Sequence, residues 1–260
     1  MISAMRMPDD RRWYRLSLAV LVLSAWAALA AWGASPFSGL LGHQDLGGSR
    51  LPPIGRLLIF VGGWTLMTVA MMLPSSLPLI NLFRRFCLNR SDRITLLLLL
   101  GLGYLAVWVY FGVLTYVGDS ALHAAVERFA VLRAASGAIG AGVLLVAGVY
   151  QFTPLKLMCL DKCRSPYSFL VQHWRGRRAG LDAFRLGIRH GLFCLGCCWT
   201  LMLVMFAVGG ANLGWMLALG AFMAAERTSR WGRRLTRPLG GVLVVWAALN
   251  LSGLAPFPGA

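Results

Sequence analysis

Cysteine supplies the chemistry in this chain, and it is concentrated. Four of the six cysteines form two tight groups, Cys159-x3-Cys163 and Cys194-x2-Cys197, the second extended by Cys198 and preceded by His190. Thiolate and imidazole are soft to borderline donors that bind Cu(I) and Zn(II) strongly, and a site needs three or four of them to converge. On a helix, His190, Cys194 and Cys197 occupy i, i+4 and i+7, one stripe, with Cys198, Met202 and Met205 on the adjoining one. Cys159 and Cys163 likewise share a face.

Two further features belong with these. Met67, Met71 and Met72 precede Pro74 in an apolar segment, and thioethers favour Cu(I) over Zn(II). Glu226 is one of very few acids close to an apolar span, where a carboxylate is a functional candidate or an ion-pair partner, here for Arg227 or Arg189. Cys87, His43, His123 and His173 stand apart and take no role. The metal-site expectation therefore comprises Cys159, Cys163, His190, Cys194, Cys197, Cys198, Met71, Met72 and Glu226, with the Cys159, Cys163, Cys194 and Cys197 sulfurs within about 4 Å of one another around one ion.

The elements that must position these residues read as membrane helices. Hydrophobic residues make up 58% of the 260-residue chain, far above a soluble domain. Seven apolar segments are long enough to cross a bilayer or nearly so: 16–33, 57–80, 96–118, 134–152, 190–209, 212–226 and 238–254, the sixth being short. Long unbroken runs favour helices over a barrel. The expected fold is an all-α polytopic transmembrane bundle of about seven helices, or six if the first is cleaved as a signal. Ala134, Ala138 and Gly142, with Ser136 and Gly140, offer small residues for close packing in the fourth.

The formal charge of +16 suggests nucleic acid only until its placement is considered. Arg6, Arg11, Arg12 and Arg15 precede the first segment, and Arg84, Arg85, Arg90 and Arg93 fill the second loop. Lys156, Lys162, Arg164, Arg175, Arg177, Arg178, Arg185 and Arg189 lie before the fifth; Arg227, Arg230, Arg233, Arg234 and Arg237 follow the sixth. The opposite side holds Arg50, Arg56, Arg128 and Arg133. This is the positive-inside pattern, with a cytoplasmic N-terminus, and it points to the lipid bilayer as partner with no nucleic acid. Residues 1–15 form a cytoplasmic segment and 16–260 a single integral membrane domain, carrying a cytoplasmic Cys-bearing loop at 153–189. Within that loop Pro154 ends one helix or starts another, and Arg164-Ser-Pro-Tyr167 reads as a stop and turn. Charge and cysteine spacing thus place both thiol groups at one membrane face.

The runs Trp64-Thr-Leu-Met-Thr-Val-Ala-Met-Met-Leu-Pro-Ser75, Tyr150-Gln-Phe-Thr-Pro-Leu-Lys-Leu-Met-Cys-Leu-Asp-Lys-Cys-Arg-Ser-Pro166 and His190-Gly-Leu-Phe-Cys-Leu-Gly-Cys-Cys-Trp-Thr-Leu-Met202 resemble a bacterial family described only as predicted metal-binding integral membrane proteins. The similarity extends to Asn212-Leu-Gly-Trp-Met216 and Glu226. It implies roles for Met71, Met72, Cys159, Cys163, His190, Cys194, Cys197, Cys198, Asn212 and Glu226. The chain departs from the family pattern at Ala211, where Met is frequent, and at Arg227, where Lys commonly follows the Glu.

The function expected is the binding of Cu(I) or Zn(II) at the cytoplasmic face of a bacterial inner membrane. Its purpose would be metal handling, transport, or delivery involving a metal chaperone or a membrane metalloprotein. A thiol-disulfide oxidoreductase is the enzymatic alternative, although these thiols lie on the reducing side; a structural zinc clamp in a scaffold subunit is another. No His-Glu-x-x-His, phosphate-binding glycine loop or serine triad supports hydrolase or nucleotide chemistry, and no catalytic residue is assigned.

Overall fold

A computed structural model describes residues 8–35, 52–134, 136–209 and 212–254. Arg6, His43, Arg50 and Ala211 lie outside them. All regular structure in the described residues is helical: α1 (Pro8–Gly33), α2 (Pro53–Phe86), α3 (Arg93–Arg128), α4 (Ala130–Ala134), α5 (Ser136–Tyr150), α6 (Pro154–Arg164), α7 (Pro166–His173), α8 (Ala179–Gly209), α9 (Leu213–Thr228) and α10 (Gly232–Leu251).

Four of these, α1, α2, α3 and α8, contain stretches long and apolar enough to cross a membrane. A fifth arises only if α5 and α6 count as one span broken by a 65° bend. The seven expected segments therefore divide. The sixth and seventh are helices, but α9 has 16 residues, and α10 begins with Arg233, Arg234 and Arg237, which dilute its apolar character.

The bend follows from local chemistry. Thr153 caps α6, its hydroxyl accepting from the Lys156 amide at 3.3 Å, while Pro154 takes the first helical position, where its missing N–H costs nothing. Pro166 repeats this at the start of α7. The expected loop 153–189 is consequently not an open loop but two short helices and the first turns of α8, which begins eleven residues before the apolar segment 190–209. Arg185 and Arg189 interrupt the apolar run without interrupting the helix, because Ala183 and Leu186 remain buried.

The bundle centres on α8, whose most extensive partner is α3. Their backbones nearly touch: a methyl group at Gly103 would collide with the Phe184 carbonyl, and one at Gly187 with the Leu100 carbonyl. Small residues permit such close approach of two helix backbones. Helix α2 lies against α3 and α9 and contains Pro74 and Pro78. Beside these breaks the Ser75 and Ser76 hydroxyls donate to the Met72 carbonyl at 2.8 and 3.2 Å, the local repair that apolar surroundings demand.

Basic segments gather at one end of the bundle. Arg164 Nη1 donates to the Glu226 carbonyl at 2.5 Å, Arg233 pairs with Asp161 at 3.1 Å, and Trp174 packs edge-on against Phe83 near the end of α2. These contacts join α6, α7, α9, the start of α10 and the end of α2.

Candidate metal centre

Near that end, α2, α6, α8 and α9 surround a buried group of sulfurs and charges. Cys194, Cys197 and Cys198 project from α8 into the core beside Met72. The Cys197 and Cys198 thiols donate to the Cys194 carbonyl at 3.1 and 3.0 Å, and Cys198 Sγ stands 3.9 Å from Met72 Sδ. Cys163 on α6 lies against Cys197. None of the six cysteines is in a disulfide, and Cys163 is the most exposed of them.

Arg227 enters this group from α9 and is itself buried. Its Nη2 donates to Cys197 Sγ and Cys198 Sγ, each at 3.1 Å, and to the Cys194 carbonyl at 3.2 Å. Its Nη1 is held by Ser75 Oγ at 2.5 Å. A guanidinium thus sits where positive charge meets two sulfurs, and consecutive residues of α9 carry opposite charges to different partners. Glu226 Oε2 pairs with Lys156 Nζ at 2.8 Å, rather than with Arg227 or Arg189, and neither side chain is accessible to solvent.

Cys159 has a different setting. Its thiol rests on the backbone of α8 at Gly196, where a methyl group would come within 2.6 Å of the sulfur. Tyr150 fixes the same turn by donating to the Gly196 carbonyl. The glycine inside the Cys-Leu-Gly-Cys-Cys run is therefore what lets α6 approach α8.

His190 is one turn away from the thiols. Its Nε2 bonds Ser76 Oγ at 3.1 Å, and its ring stacks on Tyr104 with centroids 5.5 Å apart. The Tyr104 hydroxyl contacts Cys194 Sγ at 3.1 Å, so the histidine and this cysteine are linked through one tyrosine. Met71 packs near Gly220 of α9, and together with Met67, Met72, Met202, Met205, Met216 and Met223 it shares the core that holds the thiols. Asn212 caps α9, accepting from the Trp215 amide at 3.2 Å.

Among the described residues, no group of three or more His, Cys, Asp or Glu side chains is arranged to hold a metal ion. The four-sulfur cluster expected from spacing is accordingly not preassembled. Arg227 occupies the space beside Cys197 and Cys198, and Cys159 is turned onto Gly196. The donors that do meet, two adjacent thiols with a thioether beside one of them, suit a soft monovalent ion of low coordination number. Sequence reasoning gave no site role to Ser75, Ser76, Tyr104 and Gly196, counted Lys156 only as an orienting charge, and read Arg227 as an orienting charge, an ion-pair partner and a departure from a family pattern. The available signal was a Glu-Arg pair ending an apolar helix, since neither charge could be buried without a partner.

No curated protein and no solved structure matches the chain. A family model described as "Copper chaperone" (PpoB2) matches residues 61–250, a stretch that runs from α2 through α10 and includes every cysteine. That description concerns copper and gives zinc no support. By this match the chain belongs to the PpoB2 copper chaperone family.

Proposed function

We propose that the protein is an integral component of the bacterial cytoplasmic membrane that holds Cu(I) on Cys197 and Cys198, with Met72 as a neutral third donor, and passes it to an acceptor. The observation that carries this reading is the pair of Cys197 and Cys198 sulfurs sharing one guanidinium nitrogen, with the Met72 sulfur 3.9 Å from the second of them. Two thiolates satisfy Cu(I), and a thioether adds affinity for Cu(I) without adding charge.

Cys163 and Cys159 serve as the receiving arm. Cys163 combines partial exposure with proximity to Cys197, the position required for handing an ion between thiolates by stepwise ligand exchange. Cys194, His190 and Glu226 frame the site in this reading, through Tyr104, Ser76 and Lys156 respectively. Met71 supports Met72 from the same helix.

The proposed membrane arrangement has seven spans, a cytoplasmic N-terminus, one integral domain from residue 16 onward and the thiols at the cytoplasmic end. Supporting it are the apolar lengths of α1, α2, α3 and α8 and the gathering of basic segments at the end of the bundle that holds the thiols. The acceptor is a membrane metalloprotein or a second metal chaperone on that side.

Elemental analysis of the protein purified in detergent under reducing conditions tests the reading, beside Cys197→Ser/Cys198→Ser and a Cys87→Ser control. Near-stoichiometric copper in the wild type and control, lost in the double variant, is expected. Copper retained in the double variant would sink the assignment.

A further inference from the structure

We infer that Arg227 is the built-in counter-ion of a two-thiolate Cu(I) complex, and that its fixed charge makes the site select monovalent over divalent ions. The inference rests on the Cu(I) reading above and adds the element that discriminates between metals.

When Cu(I) replaces the protons of two thiols, two protons leave to solvent, no oxidation state changes, and the resulting complex carries one negative charge. Arg227 contributes one positive charge at 3.1 Å from each sulfur. The sum is neutral. Lys156 and Glu226 already cancel each other at 2.8 Å, so they leave no surplus to disturb it. A divalent ion on the same two thiolates forms a neutral complex and strands the Arg227 charge in surroundings that penalise an unpaired ion heavily.

Selection by charge requires that the guanidinium be held independently of the metal, and it is. Ser75 Oγ fixes Nη1 at 2.5 Å and the Cys194 carbonyl accepts from Nη2 at 3.2 Å. Neither partner is a proposed ligand atom. A third thiolate would restore balance for a divalent ion, and Cys163 lies against Cys197. The selection therefore belongs to the two-thiolate form, with Cys159 on Gly196 and Cys194 engaged by Tyr104, and the titrations are run with Cys163→Ser in every protein.

The test is competition titration with chromophoric chelators, using Cu(I) and Ag(I) against Zn(II) and Cd(II), on the full-length Cys163→Ser parent and, within it, Arg227→Gln, Arg227→Lys and Ser75→Ala. Arg227→Gln should weaken both monovalent ions by about 10- to 100-fold, the usual effect of losing an outer partner of a metal ligand, while divalent affinity holds or rises. Arg227→Lys should recover most of the loss. Ser75→Ala keeps every sulfur and charge and should show a smaller, monovalent-only loss even if Arg227→Gln fails to fold. Equal losses for both valences, or none in Arg227→Gln and Ser75→Ala, would overturn the inference alone. A parent that binds no Cu(I), or whose binding survives loss of Cys197 and Cys198, would overturn the site reading and this inference with it.

Discussion

Lys156 Nζ stands 2.8 Å from Glu226 Oε2, joining α6 to α9 through an ion pair that solvent does not reach. Removing one partner leaves a buried charge without compensation, which costs about 3–5 kcal/mol. Glu226→Gln or Lys156→Met should therefore lower the unfolding midpoint strongly in detergent. Lys156→Met combined with Glu226→Leu should recover much of it, because apolar replacement of both partners leaves no charge behind. Chemical denaturation of the three variants checks this, and additive losses in the double variant would contradict the pairing.

Gly196 and Cys159 form the second contact that draws α6 onto α8. A methyl group at 196 meets the Cys159 sulfur at 2.6 Å, so Gly196→Ala should destabilise by about 1–3 kcal/mol through overpacking. The cost should shrink in a Cys159→Ala background, where the clashing atom is gone. A double-mutant cycle measures that coupling directly; independence of the two changes would place the clash elsewhere.

The local elements were legible in sequence because local signals determine them. Pro154 marked a helix boundary, the i, i+4 relation of Cys159 and Cys163 placed them on one face, and the apolar runs gave α1, α2, α3 and α8. The stop read at Arg164-Ser-Pro-Tyr167 is the end of α6, but Pro166 starts α7 instead of a turn. What could not be read was contact between distant segments. Arg227 and Ser75 are 152 positions apart, and no periodicity encodes their meeting. Charged residues also misled. Arg185 and Arg189 disguised the first turns of α8 as loop, since a helix end carries charge on one face without ceasing to be a helix. The spacing put cysteines on shared helix faces, but it carried no information about the guanidinium beside Cys197 and Cys198 or about Cys159 turning onto Gly196.

The glycines of the α3–α8 interface lead to a stability prediction unconnected to metal. At Gly187 an added methyl meets the carbonyl of Leu100, and at Gly103 the carbonyl of Phe184. Backbone atoms cannot rotate away as a side chain can, so Gly187→Val should separate the helices and cost more than Gly101→Val, whose site opens on empty space. Thermal unfolding of the two variants, followed by helical circular dichroism, should show a clearly lower midpoint only for position 187.

The thiols should differ in reactivity by burial and setting. Cys163 is partly exposed, whereas Cys159, Cys194, Cys197 and Cys198 are buried, so within this group, where access of the reagent decides, maleimide should modify Cys163 first. Copper at the proposed site should slow that labelling, because Cys163 lies against Cys197. Cys87 supplies the internal standard. It belongs to a separate core with Phe83 and Leu96, and burial pushes its thiol up, against the opposing influence of Arg90. A raised value keeps the group protonated, so its thiolate fraction at neutral pH is below that of a free cysteine, and reactivity follows the thiolate. Cys87 should label slowly near neutrality, faster as pH rises, and at a rate indifferent to copper. Site-resolved mass spectrometry across a pH series, with and without Cu(I), reads all three behaviours. Copper protection of Cys87 rather than Cys163 would move the metal to the other core.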